Sequence, residues 1–363
     1  MERWQSIWEN QVEYNLSESG VHPLKLSEIL PDPTVLSDQQ LGYTQTNGTQ
    51  ELRKTIAALY ATANQDNILV TNGSAEANFA VMWSFLGRGT EIAVMLPNYM
   101  QLWGLVKTLQ AKLKPFWLRE SENEWVPDLR SLKKNVSRKT KLIAVCNPNN
   151  PTGAALHEEQ VDEICRIAKR VGAWILSDEV YHGAELKGEE TPTFWNRYDR
   201  VIVTNGLSKA YGLPGLRIGW AVAPSQFIAK LWSYHDYTTI CPSALSDYLA
   251  RRVLAQDLRV RILTRTRQIL SENLPIVKKW VEDHGAHLSF ITPRAGAIAL
   301  VKYSLEIGSS ELAERLVKEK STLVVPGDHF RMGKYMRIGY GLTSEYLKEG
   351  LKRVSEFINK IQN

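Results

Sequence analysis

Cysteine is scarce: Cys146, Cys165 and Cys241 are the only three in 363 residues, and they lie far apart. An odd, sparse set argues against a disulfide framework and fits a reducing compartment. No stretch approaches the roughly 18 apolar residues of a membrane span, and the opening "MERWQSIWENQVEYN" is too polar for a signal peptide. Blocks of like charge are missing as well. The 44 Lys plus Arg and 39 Asp plus Glu give only +5, which reads as a solvated surface. Without zinc-finger spacing or a basic helix, nucleic-acid binding is disfavoured. There is no G-x-G-x-x-G and no Walker loop, so dinucleotide and nucleoside-triphosphate sites are disfavoured. No metal site, repeat or low-complexity segment is expected. The expectation is a cytoplasmic protein that binds neither membrane nor nucleic acid.

The length suits about two domains, and 44% hydrophobic with 23% charged residues leaves enough apolar side chain for a sizeable core. Short apolar runs recur: "ILVTNG" (68–73), "EIAVMLPNY", "KLIAVCNPNNPTG", "AWILSDEVY" and "RVIVTNGLSKAYG". Each ends in Gly, Pro, Asn, Asp or Ser. Continuous apolar runs suit parallel strands buried on both faces, with helices between them. Two such helices are expected at 74–86 and at 157–172, the second stopped by Gly172. Past about residue 255 the texture changes. A long charged helix precedes "AIALVKY", the helix "SSELAERLVKEK", and strands near "STLVVPG" and "KYMRIGYG". The fold class expected is α/β, a large domain with a mostly parallel, seven-stranded-type sheet between helices plus a small α+β domain built from both termini. The divisions expected are 1–40 (arm and part of the small domain), 41–257 (large domain) and 258–363 (small domain).

Ligands of open parallel sheets bind at the strand C-termini, where the unusual residues of this chain collect. Asp178 closes the strand "AWILS". It is either a turn residue or a buried carboxylate that needs a cationic partner. In "CNPNNPTG" (146–153), two Asn-Pro steps and a Gly force a non-helical turn that can present the Asn150 amide. In "TNGSAEAN" (71–78), either Ser74 simply caps a helix, or free backbone N–H groups at Ser74 and Ala75 form an anion seat with the helix dipole. Lys209 follows a buried strand and precedes the turn-rich "YGLPGLRIGW". A desolvated Lys becomes a nucleophilic amine, and Arg217 offers a planar fork for phosphate or carboxylate. An aldehyde cofactor with a phosphate and a ring nitrogen would use every one of these groups. Pyridoxal 5′-phosphate is such a cofactor.

From about Tyr43 to Tyr340, the order of "NPNNPTG", "DEVY" and "SKAYGLPGLRIG" resembles the class I/II pyridoxal-phosphate-dependent aminotransferases, the aspartate aminotransferase superfamily. The resemblance implies that Lys209 forms a Schiff base with the cofactor and then moves the Cα proton as general acid and base. Asp178 keeps the ring nitrogen protonated. Tyr181 and Asn150 bond the ring's phenolic oxygen, and Tyr99 stacks on the ring. Ser74, Ala75, Ser208 and Arg217 hold the phosphate. Tyr43 reaches the cofactor of a neighbouring subunit, implying a homodimer with shared active sites. Arg337 and Asn150 meet the substrate's α-carboxylate, and Gly20 and Val21 line the substrate entrance. The segment "YHDYTTICPSALSD" (234–247) either edges the site of the partner or is ordinary packing. Gly206 stands where the family usually has Ser or Thr, removing one phosphate donor. No second Arg is evident for a side-chain carboxylate, so a dicarboxylic substrate is not supported. The activity implied is transfer of an amino group between an α-amino acid and a 2-oxo acid. A C–S or other β/γ-lyase, or a cyclase, is the alternative on the same residues. A cofactor-binding sensor and a nicotinamide enzyme are the less favoured readings.

Overall fold

The computed structural model describes residues 1–187 and 190–362. Its centre is an eight-stranded sheet. In spatial order the strands are Ile68–Thr71, Gly219–Val222, Val201–Gly206, Trp174–Asp178, Thr140–Cys146, Glu91–Leu96, Lys112–Ser121 and Glu124–Pro127. Neighbours from Val201–Gly206 through Lys112–Ser121 pair in parallel. Gly219–Val222 and Glu124–Pro127 run antiparallel to their neighbours.

The apolar runs are continuous because both faces of the sheet are covered. Along Glu91–Leu96, Ala93 and Met95 join one hydrophobic cluster while Ile92, Val94 and Leu96 join the other. Ile68 and Val70 divide from Leu69 in the same way, as the two-residue period of a strand requires. The helix expected at 157–172 spans Glu158–Val171, with Gly172 in the left-handed conformation as its C-cap (φ 74°).

Two regions were not foreseen. The hairpin Lys112–Ser121 with Glu124–Pro127 brings the sheet to eight strands rather than seven. Its charged, half-exposed residues hide the apolar run that marks the inner strands. Gly219–Val222 was hidden in a segment read only as turn-rich. It is inserted antiparallel, so that its beginning, rather than its end, lies at the ligand edge of the sheet.

A second sheet of four strands contains Leu288–Phe290, Ile298–Tyr303, Tyr335–Gly339 and Val325–Pro326 in that order. The N-terminal segment is tied to this part of the chain: Tyr14–Asn15 pairs in parallel with Thr322–Leu323, and the Gly339 N–H donates to Leu16 O at 2.7 Å. Residues 16–20 are thereby led to the ligand edge of the large sheet. No helix of the described residues is long and apolar enough to cross a membrane.

Candidate active site

A cavity of ≈ 380 Å³ opens at the C-terminal ends of the parallel strands, within the range of about 300–1,000 Å³ of small-molecule sites. Its wall brings together Ser74, Ala75, Tyr99, Asn150, Asp178, Tyr181, Ser208, Lys209 and Arg217. Residues more than a hundred positions apart converge because each ends or follows a strand of one sheet or, for Arg217, precedes its antiparallel one. Gly20, Val21, Tyr43 and Arg337 are not on that wall. Gly20 packs against Ser208 and Lys209 from the side, Val21 is in the core, and Tyr43 is 86% exposed on the outer surface. Arg337 stands just behind the wall, 1% exposed, donating to Asn150 Oδ1 at 2.9 Å and to Ser17 O at 2.6 Å.

Asp178 ends its strand with its carboxylate buried. Oδ2 accepts from Asn78 Nδ2 at 2.8 Å, and Oδ1 from the Val180 N–H at 3.2 Å. Thr204 Oγ1 donates in turn to Asn78 Oδ1 at 2.7 Å. No Lys, Arg or His among the described residues pairs with this carboxylate, and burial pushes its pKa up to about 6, against the pull of the Asn78 hydrogen bond. A buried carboxylate without a cation is costly, so a ligand that brings a cationic N–H fits this position.

At the other side, Gly73 caps the helix Ser74–Phe85 without a side-chain cap, at φ 88°. Ser74 is therefore inside the first turn rather than its cap, and the first N–H groups remain free for an anion. Arg217 reaches this helix start, with Nη2 at 3.4 Å from Asn72 O and Nη1 at 3.3 Å from Ser208 Oγ. A Cβ on Gly73 would lie 2.2 Å from Arg217 Nη2 and push that side chain aside, and the positive φ favours glycine there. Gly206 has a comparable reason. A Cβ would sit 2.9 Å from Ile218 O and 3.1 Å from Gly219 Cα, so the close pairing of the two strands leaves no room for the hydroxyl residue expected at this position.

Lys209 Nζ faces the cavity and lies 2.9 Å from Glu18 Oε1. Tyr181 is 2% exposed, and burial holds its phenol well above the ordinary range, neutral at pH 7, with Ser19 as a hydrogen-bond partner. Tyr99 is half-buried and held up in the same way by burial. The "YHDYTTICPSALSD" segment comes beside the start of the helix Ser74–Phe85: Thr238 and Thr239 hydroxyls donate to Glu76, and Asn72 Nδ2 donates to Thr239 Oγ1 at 2.6 Å.

The donor set therefore fits pyridoxal 5′-phosphate: an amine, a buried carboxylate short of a cation, and an uncapped helix start flanked by an Arg. Sequence reasoning passed over Asn78, Thr204, Cys146 and Glu18. Asn78 had a readable signal. It lies four residues after Ser74 and thus on the same helical face. Glu18 had none, because its approach to Lys209 depends on pairing with residues some three hundred positions away.

A family model described as aminotransferase class I and II matches residues 21–354. The chain is 30% identical over 354 residues to capreomycidine synthase of Streptomyces vinaceus, covering 95% of this chain and 90% of that protein. It is 26% identical to the aspartate aminotransferase of Thermotoga maritima, covering 91% and 88%. The crystal structure of a PLP-dependent aminotransferase from Streptococcus suis 89-1591 superposes with a TM-score of 0.93 at 34% identity, over 100% of this chain and 97% of that one.

Proposed function

The chain belongs to aminotransferase class I and II, and from that premise we propose how its own residues divide the work of a pyridoxal-phosphate-dependent transaminase acting on an α-amino acid and a 2-oxo acid. The cofactor, when bound, supplies a carbonyl that takes up the amino group and a ring that spreads the negative charge left at Cα. Lys209 would hold the cofactor through its amine and would move the proton at Cα, as its place on the cavity wall allows. Asp178, held by Asn78, would pair with the ring nitrogen and keep it protonated. The single observation that carries this reading is the buried Asp178 carboxylate without a protein cation, in one cavity with Lys209.

Ser74, Ala75, Ser208 and Arg217 would seat the phosphate, Tyr181 and Asn150 would bond the ring oxygen, and Tyr99 would pack on the ring. Arg337 takes the α-carboxylate, with Gly20 and Val21 shaping the entrance. Residues 41–257 hold the cofactor, and 1–40 with 258–363 supply the substrate face. Tyr43 and Tyr237, 86% and 92% exposed, suit a homodimer in which Tyr43 reaches the partner's phosphate. Three cysteines that all remain unpaired suit the cytoplasm.

A second reading is kept because one relative is named a synthase rather than a transaminase. A lyase or cyclase would use the same proton transfer with a different outcome. The test is the absorbance spectrum of the purified protein as amino acids are added singly, with 2-oxo acid measured with and without an amino acceptor. A spectral change with acceptor-dependent 2-oxo acid supports transamination. Ammonia or a cyclised product without an acceptor supports the second reading, and a spectrum that no amino acid alters would remove both.

A further inference from the structure

We propose that Glu18 selects the amino donor, favouring α-amino acids whose side chain ends in a cation and disfavouring those that end in a carboxylate. This rests on the reading of the cavity as the site of amino transfer. With Lys209, Arg217 and Asp178 assigned to the cofactor, the charged side chains left on the wall are Glu2, Glu9 and Glu18, all acidic, and Met1 brings one amino group beside them. Among the described residues, no further Lys, Arg or His lines the space.

Glu18 is the fixed member of this set. Its Oε1 accepts from the Ser19 N–H at 2.8 Å and the Gly20 N–H at 3.0 Å, besides Lys209 Nζ at 2.9 Å. Its own loop therefore aims the carboxylate, which is half-buried. While the Lys209 amine is committed to the cofactor, before a donor's amine displaces it, Glu18 has no free ammonium beside it. A donor whose side chain ends in a cation is drawn on arrival to this fixed carboxylate. A donor carboxylate would instead meet like charge.

The other end of the donor is marked independently. Ser17, the neighbouring residue, accepts from buried Arg337, whose Nε has no partner. Successive residues thus face the α-carboxylate anchor and the reacting amine. Glu2 and Glu9, at either end of the short N-terminal helix Glu2–Trp8, extend the acidic wall outward.

The test titrates the holoenzyme with α-methylornithine, its neutral isostere α-methylnorleucine, and α-methylaspartate. These lack the Cα–H, so they bind without being turned over, and dissociation constants follow from calorimetry and the cofactor's absorbance. The expected order of affinity is cationic, then neutral, then acidic. Glu18→Gln should weaken the ornithine analogue about tenfold, the loss of one charge-assisted contact, and leave the norleucine analogue unchanged to within about twofold. Glu9→Gln, at the exposed residue just past the helix Glu2–Trp8, should weaken the ornithine analogue by about twofold to threefold. If Glu18→Gln fails to take up cofactor, the Glu9→Gln result decides, and no change there overturns the proposal. Tightest binding of the aspartate analogue, or an unaltered ornithine constant in Glu18→Gln, overturns the donor preference and leaves amino transfer standing. A spectrum blind to every analogue overturns both.

Discussion

The deep wall of the cavity and its rim meet at Lys209 but are built from different parts of the chain. The deep wall comes from successive strand ends of one sheet. Its polar groups bond to one another: Thr204 to Asn78, Asn78 to Asp178, and Arg217 to Ser208 and Asn72. The rim comes from Glu18 and Ser19, with Arg337 buried behind them, held in place by strand pairing with residues near 322 and 339. On the proposed reading, the chemistry at Cα belongs to the wall, while the binding and choice of donor belong to the rim. Substitutions in the wall should lower kcat, and those in the rim should change KM.

The largest effect separates wall from rim most sharply. Lys209→Ala removes nucleophile and proton carrier together, and turnover should fall by about 10⁴-fold or more, with cofactor still retained without a covalent link. Steady-state assay and dialysis check this, and turnover within an order of magnitude of wild type would end the assignment. Asp178→Asn should lower kcat by about 10²–10³-fold, the scale of losing one preorganised electrostatic group, with little change in KM.

The same variant has a stability signature in the cofactor-free protein. Burial holds the Asp178 carboxyl at about 6, so between about pH 4 and 6 the folded chain keeps a proton that the unfolded chain releases. Stability is then lost as pH rises through that window, up to about 3 kcal/mol from this group. Asp178→Asn lacks this loss, so in urea unfolding the variant should gain on wild type from pH 4 to 7. A constant difference across the range contradicts the buried, unpaired state.

The wall was legible in the sequence to a degree that the rim was not, for a physical reason. Strand ends of a parallel sheet announce themselves as an apolar run that breaks at Gly, Pro, Asn or Asp, and Lys209, Asp178, Asn150 and Ser74 each follow such a break. Their convergence follows from the sheet. Glu18 and Ser17 sit in "NLSESG", whose place is set by long-range pairing, so nothing local tells which atom they will face. The hairpin at 112–127 escaped for a related reason, since its half-exposed strands carry charge where buried ones carry Val and Ile. The Asp178–Asn78–Thr204 chain lay between the two cases: its residues were quoted or nearby, but only the structure links them.

Smaller effects sharpen the rim. Arg337→Ala should raise KM for every α-amino acid by about 10²-fold, since a buried charge partner is removed, and leave the affinity for cofactor unchanged. Equal losses in both would move Arg337 to the wall. Tyr43→Phe should weaken cofactor retention by only about fivefold, and only at protein concentrations where sedimentation shows a dimer. A loss of the same size in the monomer would contradict a contact across subunits.

The central claim is a covalent link between one amine and the cofactor above a buried carboxylate. Borohydride reduction of the holoenzyme followed by peptide mass mapping tests it most directly. The account predicts a stable pyridoxyl-phosphate adduct on the peptide containing Lys209. An adduct on any other lysine, or none, would contradict it.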